Sequence, residues 1–363
     1  MDCYRAIEQD REPLHLMVFF LLRLLSAALL RVTGLTRRYL FWQVNFEVLL
    51  PPKVPFPNFF TNKVRLAGGC VPSEVVVKCG ELAMRSELAV FDLGGGNVQT
   101  VLQTDRHIEA PNWTRDGRSL LVNGGGRLFL VDLANPALAE IDTGFARHCN
   151  NDHGISPDGG MIVISNSPDP YGSTIYTLPF GGGEPVLVQG KSPSYWHGWS
   201  PDGQTLAYVA KRDERFQVYT CPVGGGAETQ VTSDFDHCDG PDYSPDGQWI
   251  WFNGERQGSV QLWRIHPDGT GLEQMTDDER VNWFPHPSPD GKHIVFLAYE
   301  AGTKGHPADK SVELRLMSAG GGKPQILLAL FGGQGTINVP SWSPDSTKFA
   351  FVRYQADQAG FNK

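Results

Sequence analysis

Residues Ser194–Ala210 read SYWHGWSPDGQTLAYVA, and five of them, WSPDG at Trp199–Gly203, decide the fold. Proline presets φ for the first corner of a type I turn and aspartate suits the second. Glycine accepts the positive φ with which the chain leaves into a hairpin. The β-prone run that follows, Thr205–Val209, is then a strand folded back beside the segment before the turn.

The unit recurs, with its aspartate at Asp116, Asp158, Asp202, Asp246, Asp290 and Asp345, at intervals of 42, 44, 44, 44 and 55 residues. Four copies sit in Ser-Pro-Asp-Gly turns at 156–159, 200–203, 244–247 and 288–291; Arg115 replaces proline in the first copy and Ser346 replaces glycine in the last. A period of this length suits a blade of four strands. Third strands are expected at Leu128–Val131, Thr174–Leu178, Gln217–Cys221, Leu262–Ile265 and Leu314–Met317, mostly followed by a glycine turn such as Gly181–Gly183 and a fourth strand. No helical periodicity intervenes. One third-and-fourth pair, Leu88–Leu102, precedes every such turn, and none follows Asp345. A ring uses both, with Leu88–Leu102 completing the blade begun by Pro340–Val352. The expectation is an all-β fold, a six-bladed β-propeller with an interlocked final blade over residues 84–363, which protects its sheet edges.

The turns WSPDG and YSPDG (Tyr243–Gly247), with the glycine-triplet hairpins, resemble the WD40-like repeats of the TolB family over about residues 86–355. The resemblance implies a six-bladed propeller that serves mostly as a periplasmic binding and scaffolding module. The separate N-terminal domain of that family is not visible in residues 1–83.

The whole chain has 363 residues, 40% hydrophobic and 20% charged, with 41 Gly and 26 Pro, which fits a globular, turn-rich protein and excludes a disordered or fibrous one. A net charge of −9 leaves no global phosphate-binding surface, so nucleic acid is not an expected partner. Six cysteines without CxxC or CxH spacing imply free thiols in a reducing compartment rather than a disulfide framework. The apolar run Leu14–Leu30 is broken by Arg23, which is costly in a spanning helix, and lacks a small-x-small cleavage site. Three readings fit this N-terminal extension: an anchor, an amphipathic surface helix, or translated sequence upstream of a start at Met84, the last being preferred. A start at Met84 implies a cytoplasmic protein; a functional apolar run implies a periplasmic or membrane-associated one.

Ligands of propellers gather at a channel mouth, where loops lead into the innermost strands. Seven positions before the anchor aspartates stand Glu109, Asn151, Tyr195, Asp239, Trp283 and Asn338; five positions before stand Pro111, His153, His197, Pro241, Pro285 and Pro340. By period two both sets face one side of their strand. The first set, with Trp196, is the expected ligand-binding group. Seven of the ten histidines fall in these leading segments or in the insertion Glu300–Lys310, which is expected to cover the mouth. Imidazoles near carboxylates suit a divalent metal, with His153, His197 and His237 as ligands and Asp239 or Glu109 completing the shell; the alternative is histidines that cap loops without metal. Trp283, Phe284, Tyr195 and Trp196 either stack on a sugar or pack between blades.

Other chemistry is not supported. The glycine triplets join strands and open no helix, so they cradle no phosphate, and the segments before Ser156 and Ser200 run into Pro-Asp instead of a nucleophile elbow. Two functions remain. One is a binding propeller that holds a peptide, protein or glycan. The alternative is a metal-dependent carbohydrate-active enzyme such as an oligouronide lyase, in which metal neutralises a uronate and His286 or His306 acts as base.

Overall fold

The computed structural model describes residues 84–169 and 172–356. The readings of residues 1–83 fall outside the described residues. What is described is an all-β propeller. Glu109–Trp113, Ser119–Gly124, Arg127–Asp132 and Ala139–Ile141 form one four-stranded sheet. Cys149–Ile155, Met161–Asp169, Gly172–Pro179 and Val186–Gln189 form a second, and Val281–Pro287, His293–Tyr299, Lys310–Ser318 and Gln325–Gly332 a third. The strands from Ser194–Trp199 to Glu273–Gln274 make an eight-stranded sheet. Met84–Asp92 lies between Asn97–Thr104 and Lys348–Ala356.

The turns explain the repeat. In each Ser-Pro-Asp-Gly copy the serine hydroxyl donates to the aspartate, at 2.6 Å for Ser200 and Asp202, and accepts the N–H that opens the next strand, at 2.9 Å from Thr205. The aspartate also accepts the Gln204 N–H at 3.0 Å, while Gly203 takes φ of 70°. The final copy keeps this geometry without glycine. Ser346 adopts φ of 62°, and its hydroxyl accepts the Asp290 N–H of the preceding turn at 2.9 Å, a bond that offsets the conformational cost. Successive turns also touch: a Cβ on Gly203 would lie 3.7 Å from the Pro157 ring, and one on Gly117 of the first turn 3.8 Å from Pro344 of the last.

The first strands pack on one another in order. Glu109–Trp113 packs on Cys149–Ile155, that on Ser194–Trp199, then His237–Tyr243, then Val281–Pro287, and Lys348–Ala356 packs on Glu109–Trp113. Each of these five first strands carries an irregularity in its pairing: between Glu109 and Asn112, Cys149 and His153, Trp196 and Gly198, Asp239 and Asp242, and Trp283 and His286. A bulge re-aims side chains, so strict period two does not run through these strands.

Met84–Asp92 pairs in unbroken antiparallel register with Lys348–Ala356, from Met84↔Ala356 to Asp92↔Lys348. Glu87 sits buried in this pairing and accepts from Arg353 at 2.5 Å, Thr100 at 2.6 Å and Gln355 at 2.9 Å. Leu88, Val90 and Val352 pack there with Leu120, Val122 and Phe129 of the next sheet. Removing the carboxylate leaves a guanidinium half-buried without its partner. We expect Glu87→Ala to lower unfolding stability in urea by about 3–5 kcal/mol. Arg85→Ala, which breaks only the exposed pair with Asp105, should cost less than about 1 kcal/mol. Equal losses would show that Glu87 does not secure this pairing.

Candidate functional site at the channel mouth

The segments that lead into the first strands open on a cavity of about 430 Å³. Of the residues seven positions before the anchor aspartates, Glu109, Asn151, Tyr195, Asp239 and Asn338 line it. The sixth, Trp283, is 2% exposed and lies beneath the insertion, its ring 4.4 Å from that of His306. Trp196 is 1% exposed; it lines a separate cavity of about 220 Å³ on the side of the Ser-Pro-Asp-Gly turns, together with Trp199 and Trp342. There its ring crowds Gly154 so closely that a Cβ would meet it at 2.1 Å, which is why that position is glycine.

The histidines divide. His197, His237 and His306 line the mouth cavity. His153 does not: it is fully buried, and neither ring nitrogen has a hydrogen-bond partner among the described residues. Burial pushes its pKa down to about 4, so it is neutral. The two histidines occupy equivalent repeat positions but different places in the ladder. His153 pairs with Ile164, whereas His197 falls in the bulge between Trp196 and Gly198 and so turns into the cavity. His286 is also buried, 3.1 Å from Asp242 through Nδ1 and 2.6 Å from the Ile337 carbonyl through Nε2. It holds strand to loop rather than facing the mouth.

Asp239 is the hub. His197 Nε2 lies 2.9 Å from one of its oxygens and His306 Nε2 3.3 Å from the other. His306 comes from the insertion, whose Pro307 carbonyl accepts the Tyr299 hydroxyl at 3.1 Å and the Gln334 N–H at 3.3 Å, while Nδ1 of His306 meets the Gln334 side chain. Burial opposes charge on Asp239, yet the His197 charge and contacts from His197, His237 and His306 hold its pKa well below the usual range. Burial likewise opposes charge on His197, but Asp152 and Asp239 raise it to about 9. His306 is raised against burial by Asp239, Gln334 and Asp152.

Glu109 is kept below its ordinary value, against burial, by bonds from His107, Asn123 and Asn151. Asp152 goes the other way. Burial, with Asp239 and Glu109 nearby, raises it to about 7 despite His197 and His306. Asp152, Asn150, Phe216 and Gln334 also line the cavity without occupying the repeat position that marked the others. Phe216 and Gln334 arrive from a hairpin and from the loop before the final turn, where the repeat carries no signal; Gln334 lies in the GGQGTIN segment after the insertion. Among the described residues no group of three or more His, Cys, Asp or Glu is arranged to hold a metal ion.

The raised pKa values of His197 and Asp152 make stability fall with rising pH. Below pH 6.5 the contribution of His197 is complete; above it the unfolded chain releases a proton that the folded chain keeps, so the contribution is lost by about pH 9. Asp152 adds a fall of the same sign between its ordinary 3.8 and about 7, because there the folded chain binds the extra proton. Urea midpoints should therefore decline from pH 6.5 to about 9, and Asp239→Asn should flatten that decline. An unchanged slope in the variant would mean that Asp239 does not hold the His197 proton.

The TolB β-propeller domain pattern matches residues 191–310. An uncharacterized protein of Agrobacterium fabrum is 48% identical over 273 residues, 75% of this chain and 93% of that protein. A solved structure of a provisionally assigned TolB from Agrobacterium tumefaciens superposes with a TM-score of 0.73 at 48% identity, covering 75% of this chain and 99% of the other. TolB from Acinetobacter baumannii is similar in fold, with a TM-score of 0.55 at 19% identity over 70% of this chain and 66% of the other.

Proposed function

We propose that this chain, which belongs to the TolB-like β-propeller family, is a binding protein that takes a segment of a peptide or protein partner into the mouth cavity. The observation that carries this reading is the composition of the cavity wall. Three first strands contribute carboxylates, Glu109, Asp152 and Asp239, beside the rings of Tyr195, Phe216 and Phe284, and no lysine or arginine lines it. Convergent polar groups on an apolar, concave floor are what a specific binding pocket requires.

The same wall speaks against an oligouronide. Trp196 and Trp283, the large rings suited to stacking on a sugar, are buried away from the cavity. The six-blade reading has support in the pairing. The eight-stranded sheet divides into two blades of four at its single parallel pair, Phe216↔His237. The three-stranded sheet gains a fourth member from the segment before the last turn, where the Thr336 and Ser341 carbonyls accept the Val352 and Ala350 N–H groups at 3.1 and 2.8 Å.

The test is retention of a pooled random hexapeptide library on the immobilised full chain, read by mass spectrometry. A defined subset should be retained. Tyr195→Ala, which removes a half-buried ring from the wall, should reduce that retention at least tenfold with little change in melting temperature, and Lys292→Ala in an exposed turn should leave it unchanged. Equal retention by Tyr195→Ala and the parent chain, or retention of no peptide, would overturn the reading.

A further inference from the structure

Of the three carboxylates on the wall, two are saturated and one is not. Glu109 accepts from Asn123 at 3.2 Å and Asn151 at 3.3 Å and faces His107 at 3.4 Å. Asp239 holds His197 and His306. The Asp152 carboxylate accepts no hydrogen bond from any described residue, although its side chain is only 8% exposed. Its nearest cation is His197 Nε2 at 3.9 Å, and that nitrogen is already committed to Asp239 at 2.9 Å. Its own backbone N–H is spent on the Asn150 side chain at 3.0 Å.

A buried carboxylate without donors is unfavourable, and buried polar groups in folded proteins are almost always satisfied. Asp152 lines the open cavity, so its donor comes from what occupies that space, solvent or a group of a bound ligand. We propose that Asp152 is the recognition group for a primary ammonium on the ligand, the α-amino group of a peptide or the ε-amino group of a lysine. The proposal rests on the binding reading above and names the chemistry that the site selects.

An ammonium fits better than a hydroxyl. Its charge pairs with the one carboxylate of the wall that no described side chain hydrogen-bonds, and its three donors serve Asp152 together with the amide oxygens of Asn150 and Asn151. The rings of Tyr195 and Phe216, 6.3 Å apart between centroids, offer faces to the cation and to the methylenes that carry it. The imidazoles do not satisfy Asp152, since those of His197 and His306 are turned to Asp239 and that of His107 to Glu109.

Three hexapeptide pools passed over the full chain decide the matter: one with all amines free, one acetylated only at the N-terminus, and one with every amine acetylated. Retention of the free pool with at least tenfold loss of the fully acetylated pool is expected, and the N-terminally acetylated pool separates the α-amine from the lysine source. Asp152→Asn, which keeps the side-chain size, should reduce retention of free amines to the acetylated level with an unchanged or higher melting temperature. Equal retention of free and fully acetylated pools would overturn ammonium recognition while leaving the binding reading intact. Retention of neither pool would overturn both. Undiminished, amine-selective retention by a folded Asp152→Asn would overturn the role of Asp152, and if that variant fails to fold, the pool comparison still decides whether an ammonium is recognised.

Discussion

The pairing of Met84–Asp92 with Lys348–Ala356 is the constraint on which the other sheets depend. It joins the first described strand to the last, and an open loop of that length costs about 5 kcal/mol beyond a constant to close. The cost is met locally. A nine-residue register, the buried Glu87 with its donors from Arg353, Thr100 and Gln355, and the packing of Leu88 and Val352 against the next sheet all act at one seam. Between Gly117 and Pro344 the turns of the first and last repeats meet at the same spacing as turns in the middle of the array. The strands in between are held by contacts to their neighbours, which is how a repeat array distributes its stability.

That frame allows the mouth cavity to hold buried charge. Asp239 and Glu109 remain ionised because each has donors placed by a neighbouring segment, and His197 remains protonated because two carboxylates face it. The arrangement is rigid where it meets the strands and assembled from loops where it meets the opening. His306 reaches Asp239 only because the insertion is tied down through Pro307 to Tyr299 and Gln334. Asp152 is the exception to this saturation, and the asymmetry between it and Asp239, two carboxylates in one pocket with opposite shifts, gives the site its chemical character.

Much of this was legible in the residues alone, and the limit of legibility has a physical cause. The turn at Ser200–Gly203 is written in the residues that form it, because φ preferences and the serine–aspartate hydrogen bond act over a few positions. Repetition of that turn at nearly constant spacing was enough to predict an all-β array and to identify the position seven residues upstream, five of whose six occupants line the mouth. The tertiary structure alone decided what each side chain does there. His153 and His197 hold the same repeat position, yet one pairs in the ladder and is entombed while the other bulges into the cavity. Trp283 lies beneath an imidazole that arrives from an insertion, Phe216 and Gln334 reach the wall from positions outside the repeat's register, and Asp152, between the two marked positions of its strand, lies in the pairing irregularity between Cys149 and His153. Turn chemistry is local and therefore readable along the chain; bulge placement and the meeting of distant loops depend on contacts between segments, which exist only once the chain has folded.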